Sequence, residues 1–257
     1  MNTRFTLALS VTLMTLAGAV FAYPTLAGPT GLAVLPTAEV ITAGHWQLAA
    51  DYYNTQDSAT GVRDTVPIRL LYGIAPNWEV GVDGWIAKVN GANADTYGGN
   101  LKYQTPLRLA GFDLAIGVID QVTKKAADEG FSKDANTFEA YLAGTRELIK
   151  PTAGMLGVNA TLGVNWTKLD AGMEKGEGYR FAGGIEVKPF KTLSIAAELQ
   201  TKRAQVGDDK ALAAVTARYM LNTNLQVEAG YTNAGFNYGG LTGTPDHNFF
   251  AGLAFEK

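Results

Sequence analysis

Between Leu156 and Thr167 the sequence alternates without a break. Even positions read Leu156, Val158, Ala160, Leu162, Val164, Trp166. Odd positions read Gly157, Asn159, Thr161, Gly163, Asn165, Thr167. A period of two makes a β-strand with one apolar and one polar face. Strands of soluble domains average about 5–6 residues, whereas a strand crossing a bilayer at a tilt needs about 9–11. The stretch therefore reads as one stave of a transmembrane β-barrel, apolar toward lipid and polar toward a lumen.

The rest of the chain supplies matching staves. The first starts at Trp46, with Trp46, Leu48, Ala50 and Tyr52 outward and Gln47, Ala49 and Asp51 inward. Then come Ile68–Ile74, Trp78–Ile86, Tyr97–Tyr103 and Phe112–Val118. Thr137–Gly144 is sixth, although Phe138, Tyr141, Leu142 and Leu148 also suit a helical face. After the Leu156 stretch follow Tyr179–Val187, Leu193–Thr201, Ala211–Tyr219, Leu225–Tyr231 and His247–Phe255. The total is twelve, with ten and fourteen as alternatives. Segments 121–135, 168–178 and 233–246 read as long polar loops, whereas 75–77, 189–192 and 221–224 read as tight turns. Long loops at one rim and short turns at the other are what a barrel with both termini in the periplasm requires. Trp46, Tyr72, Trp78, Tyr103, Phe112, Tyr219 and Phe255 fall at one set of strand ends. Tyr52, Tyr97, Phe138, Trp166, Tyr179, Tyr231 and Phe249 fall at the other, so two interfacial girdles result.

Composition narrows the alternatives. The one long apolar run is N-terminal, so helical spans are excluded elsewhere. A net charge of −3 argues against nucleic acid. There is no cysteine, hence no disulfide, cysteine-based metal site or lipidated N-terminal cysteine. No cofactor is expected. Arg4 followed by the apolar run from Phe5 to Val20 and by Val20-Phe21-Ala22 is a secretory leader pattern, with cleavage after Ala22 or, alternatively, after Ala19.

The chain thus divides into a leader (1–22), a lead-in (23–44) and a barrel (45–257). The lead-in holds Pro24, Pro29 and Pro36 and one charge, Glu39. Its run Gly31-Leu32-Ala33-Val34-Leu35-Pro36-Thr37-Ala38, followed by Ala43-Gly44, resembles the Gly-Leu…Pro-Thr-Ala opening of an outer-membrane barrel family linked to exopolysaccharide biosynthesis and export. The resemblance covers residues 28–53. It implies an outer-membrane barrel and a role beside polysaccharide export. The lead-in either stiffens the approach to the first strand or folds back as a plug. At about 3.3 Å per residue it can span about 70 Å, against an apolar band about 25 Å tall. As a plug it would set Leu32, Leu35, Pro36, Thr37 and Ala38 against the small residues of the seventh stave.

Candidate functional residues are those turned inward. They are Asp51, Glu79, Asp83, Asp113, Glu139, Glu186, Glu198 and Glu228 against Arg69, Lys102, Arg180, Lys188, Lys202 and Arg218, with Asn159 on the uncharged wall. Such charges must pair across the lumen or meet water. No catalytic set emerges: His45 and His247 belong to opposite rims, and Ser58, Ser132 and Ser194 have no histidine beside them. The matches to the glycosylation pattern at Asn159 and Asn165 fall on a membrane stave and carry no such meaning. Phe249, Ala251, Leu253 and Phe255 resemble the aromatic-ended assembly signal of outer-membrane barrels, with Glu256 and Lys257 beyond it. The expectation is a non-enzymatic outer-membrane barrel, either a small porin-like channel or an accessory of polysaccharide export. A membrane-embedded hydrolase of phospholipase or protease type and a structural barrel with partner-binding loops are the alternatives. Expected partners are outer-membrane lipid, the barrel-assembly machinery, and polysaccharide or small solutes.

Overall fold

The computed structural model describes residues 23–57, 61–89, 92–93, 95–124, 134–150, 156–171, 174–203, 210–237 and 240–257. The expected leader, Ser58 and Ser132 lie outside the described residues, as does the His247 side chain. The strands are β1 (Trp46–Asp57), β2 (Gly61–Ala75), β3 (Trp78–Val89), β4 (Ala92–Asn93), β5 (Thr96–Leu109), β6 (Phe112–Thr123), β7 (Ala135–Ile149), β8 (Gly157–Ala171), β9 (Glu174–Phe190), β10 (Leu193–Gln200), β11 (Leu212–Met220), β12 (Leu225–Asn237) and β13 (Gly240–Glu256). β4 is a two-residue pairing on the end of β3. The other twelve form one antiparallel sheet that closes on itself where β1 pairs with β13, from Gln47↔Glu256 to Thr55↔Asn248. Closure leaves no open edge. At the seam Trp46 and Lys257 exchange backbone hydrogen bonds of 2.9 and 3.0 Å.

The sheet is apolar outside and charged inside. Leu162 on β8 is 56% exposed and Val82 on β3 57%, while Arg69, Glu79 and Lys102 are wholly buried. That inversion is stable when the outer face meets lipid. The Thr137–Gly144 stretch is strand, not helix: Tyr141 points in, Phe138 and Leu142 point out, and both neighbours complete its ladders.

The strands outrun the expected staves. The segments 168–178 and 233–246, read as loops, are largely hairpin. Ladder pairs run from Lys168↔Glu177 to Ala171↔Glu174, and from Ala234↔Gly243 to Asn237↔Gly240. Beyond the apolar band no hydropathy signal marks the strand, but the backbone groups still need partners and each strand supplies the other's. The opposite rim carries tight turns. Pro76-Asn77 links β2 to β3 with Asn77 at φ 67°, and Ala110-Gly111 links β5 to β6 with φ of 50° and 82°. Both residues of the second turn take positive φ, as a primed hairpin turn needs. β9 runs on to Phe190, which shrinks the expected turn 189–192 to Lys191-Thr192.

Aromatic pairs band the outer surface. Trp46–Phe255 (5.5 Å between centroids) and Trp78–Tyr103 (4.5 Å) lie near the short-turn rim. Tyr231–Phe249 (5.1 Å) and Phe138–Trp166 (6.2 Å) lie toward the other. Phe249, Leu253 and Phe255 all face outward on β13. Phe255→Ala removes half of the Trp46 pair at the seam, whereas Glu256 and Lys257 add only rim bonds. We expect Phe255→Ala to lower outer-membrane yield, measured by membrane fractionation and blotting, more than deletion of Glu256 and Lys257. Equal yields would deny Phe255 a part in assembly.

Candidate functional site

The interior is not empty. Residues 23–41 enter it from the short-turn rim and bury Tyr23, Leu26, Leu32, Ala33, Val34, Leu35, Ala38 and Ile41. The segment folds back on itself, with backbone bonds from Leu26 N to Ala33 O (2.8 Å), Gly31 N to Tyr23 O (2.8 Å) and Leu32 N to Leu35 O (2.9 Å). Gly28 turns the chain at φ 115°, a conformation that costs glycine little.

The inward charges hold this segment by its main chain. Carboxylates take its N–H groups. Glu79 accepts from Thr30 N (3.0 Å) and Ile41 N (3.1 Å), and Glu198 accepts from Val34 N (2.9 Å) and Leu35 N (2.6 Å). The Thr145 hydroxyl accepts from Ala38 N at 2.9 Å. Cations take its carbonyls. Arg69 donates to Thr25 O (3.1 Å), Lys102 to Thr30 O (2.8 Å) and Arg218 to Gly31 O (2.9 Å). The Thr30 hydroxyl completes one knot between Glu79, Lys102 and the Glu39 carbonyl. Hydrogen bonds to charged groups contribute about 1.5–3 kcal/mol each when buried partners match.

Tyr23 anchors the start. Its hydroxyl donates to Asp51 at 2.9 Å, and its ring lies 4.7 Å from the Arg218 guanidinium and 5.8 Å from that of Arg69. Burial pushes the phenol well above its ordinary range, with Glu228 and Asp51 adding to the rise, so it stays a donor. Each arginine also has an acid on the wall: Arg69 pairs with Asp51, and Arg218 with Glu228 at 2.8 Å.

Apolar contacts complete the seal. Leu26, Ala33 and Val34 pack on Tyr53, Trp85, Leu212 and Phe250, where Tyr53 and Phe250 stack at 5.0 Å. Leu32 and Leu35 pack on Ala196 and Ala182. Two inward glycines make room for them: a β-carbon at Gly163 would lie 2.9 Å from Leu35 Cδ1, and one at Gly184 would collide with Leu32 Cδ1.

Other inward residues gather on either side of the segment. Toward the short-turn rim a chamber of about 270 Å³ is lined by Glu39, Asp113, Glu147, Asn159 and Lys188 among others. There Glu186 accepts from Asn159 at 3.2 Å and pairs with Lys188 at 3.1 Å, while Asp113 is held by Arg108 at 2.5 Å. Toward the long-loop rim Asp83 accepts from Gln121 (2.8 Å) and Glu139 from Thr167 (3.0 Å). Arg180 lines a remnant space of about 20 Å³ beside Val34 and Ala27. Space of that size holds about one water.

Lys202 is a correction. It is exposed, and Arg203 is the buried cation. β10 ends at Gln200, so the alternation of sides stops before Lys202. Sequence reasoning also missed Tyr23, Thr145 and Gln121. A tyrosine beside a leader junction and neutral residues on a stave give no signal before their partners are known. The described His, Cys, Asp and Glu side chains form no group of three fit for a metal.

No family model matches this sequence, and neither does any curated protein. Solved structures do match its fold. The NanC porin is similar with a TM-score of 0.55 at 11% identity, over 82% of this chain and 98% of that one. The KdgM porin is similar at 0.53 and 14%, over 80% and 98%. KdgM porin in complex with disordered oligogalacturonate is similar at 0.52 and 12%, over the same shares. The chain has the closed antiparallel fold of twelve-stranded outer-membrane porins.

Proposed function

We propose that this chain is a non-enzymatic, porin-like channel of the outer membrane, closed at rest by its own residues 23–41. One observation carries the reading: residues 23–41 sit inside the barrel with their main chain gripped from the wall by Glu79, Glu198, Arg69, Lys102 and Arg218. A barrel built only as a scaffold has no need of a lumen whose charges are spent on holding a separate segment. The short-turn rim faces the periplasm, which puts both termini there, and assembly proceeds through the barrel-assembly machinery into outer-membrane lipid. The cargo is a small solute or an oligosaccharide. The similarity to a porin that holds oligogalacturonate supports the second, and the opening over residues 28–53 supports a place beside polysaccharide export.

Single-channel recording in planar bilayers tests this. The intact protein is expected to conduct little, and a version lacking residues 23–40 to conduct several-fold more. If both conduct alike, the segment is no gate. If neither conducts, the barrel is structural.

A further inference from the structure

We propose that residues 23–41 are locked in the barrel by the α-ammonium of Tyr23, freed by cleavage after Ala22 and held by Gln47, Gln226 and Glu228. Three buried oxygens carry the inference. Among the described residues, Gln47 Oε1, Gln226 Oε1 and Glu228 Oε1 are shielded from solvent and accept no hydrogen bond. Their residues are 1%, 7% and 3% exposed. Buried polar atoms are ordinarily paired, so three such acceptors around one residue point to a group with several donors.

The residue they surround is the start of the segment. Tyr23 packs on Ala49 and Ala254 at the β1–β13 seam. Gln226 lies opposite Ala254 in the β12–β13 ladder, Glu228 two residues beyond Gln226, and Gln47 two residues before Ala49. All three stand on the inward face, so each Cβ lies within about 8 Å of one of the two alanines. Arg218 fills one oxygen of Glu228 at 2.8 Å and leaves the other open. Tyr23 is wholly buried, with its phenol bonded to Asp51 and its carbonyl to Gly31 N. Its nitrogen is the polar group left to meet these acceptors. In an uncut chain that nitrogen is an amide with one N–H. Hydrolysis of the Ala22–Tyr23 bond adds water's hydroxyl to the Ala22 carbonyl and its hydrogen to the nitrogen, which takes up the proton that the new Ala22 carboxyl releases. The product has three N–H donors and one positive charge, for three acceptors of which one is a carboxylate. A charge-assisted bond is roughly twice as strong as a neutral one. Processing therefore completes the anchor, and a chain still joined to its leader cannot make it.

The anchor rests on the reading of this segment as a plug in an outer-membrane barrel but not on conduction, so its failure and that of the channel are separate results. Protein purified from outer membranes is expected to have the intact mass of a chain starting at Tyr23. Near neutral pH an N-hydroxysuccinimide ester acylates α-amines ahead of lysines, whose pKa is about 2.5 units higher. In the folded, detergent-solubilised protein the Tyr23 α-amine is expected to react at least tenfold more slowly than in urea, read by fragment mass spectrometry. The double variant Gln47→Leu with Gln226→Leu keeps the bulk and removes two acceptors, and labelling then speeds at least tenfold. Heat-dependent gel mobility shows whether it folds; if it does not, Gln47→Leu alone is expected to speed labelling several-fold. Gln200→Leu, at the far end of β10, leaves the rate unchanged. A mass starting at Val20, an α-amine that reacts as fast folded as unfolded, or a rate that the Gln47 and Gln226 variants leave unmoved would each overturn the anchor.

Discussion

Gly184→Val is expected to open the barrel. Gly184 faces inward on β9, in register with Thr161 on β8 and Glu198 on β10. A β-carbon there collides with Leu32 Cδ1 and lies 3.3 Å from Ala197 O and Glu198 Cβ. The wall has little freedom, because its carbonyls and amides are committed to ladders on both sides. Leu32 must therefore give way. It is two and three residues from Val34 and Leu35, whose N–H groups are gripped by Glu198. Moving Leu32 thus loosens one of the two carboxylate clamps on the segment. Valine is also a favoured strand residue, so the barrel itself is not weakened. The expected conductance of Gly184→Val approaches that of the version lacking residues 23–40, a several-fold rise over the intact protein. Adding Leu32→Ala to Gly184→Val returns the space and restores the closed state. Heat-dependent gel mobility shows that each variant is a folded barrel. A folded Gly184→Val that conducts no more than the parent refutes the steric account.

The same glycine shows where sequence ceases to speak. Alternation from Leu156 to Thr167 made the barrel wall legible, because lipid imposes one chemistry on every second residue. Nothing comparable marks the interior. A glycine on an inward row reads as a missing side chain, and only the three-dimensional neighbour shows that Gly163 and Gly184 are spaces kept for Leu35 and Leu32. Charges were legible as inward, yet not as pairs. Arg218 and Glu228 face each other directly in the β11–β12 ladder, so register alone would have matched them. Arg69 lies opposite Ala49 rather than Asp51, and their diagonal contact needs coordinates. Strand ends toward the long-loop rim were hidden for another reason. Past the apolar band apolar residues such as Leu169, Phe236 and Leu241 are scattered among glycines and polar residues, and the periodicity that announced the strand is gone. Arg203 escaped for the same cause, lying three residues beyond the last ladder position of β10.

Arg69→Met should be among the costliest single substitutions in the chain. The Arg69 and Asp51 side chains are both wholly shielded from solvent. Gly252 on β13 makes room for this pair, since a β-carbon there would collide with the Asp51 carboxylate. Losing Arg69 leaves Asp51 with the Tyr23 hydroxyl as its remaining donor and takes from the Thr25 carbonyl one of its two donors, Gly28 N at 3.0 Å being the other. Breaking a buried pair from one side typically costs about 3–5 kcal/mol, because a charge stays buried without compensation. Urea unfolding from lipid vesicles, followed by tryptophan fluorescence, measures the loss. The double substitution Asp51→Asn with Arg69→Met removes both charges, and replacing a buried pair with neutral groups is often close to neutral. It should therefore recover most of the loss, short of about 1 kcal/mol for the Thr25 hydrogen bond. If the double variant is as unstable as the single one, the penalty comes from packing around Arg69 and not from the orphaned carboxylate. The electrostatic account of how the wall holds the segment would then fail at its first anchor, where Arg69 and Arg218 both approach the Tyr23 ring.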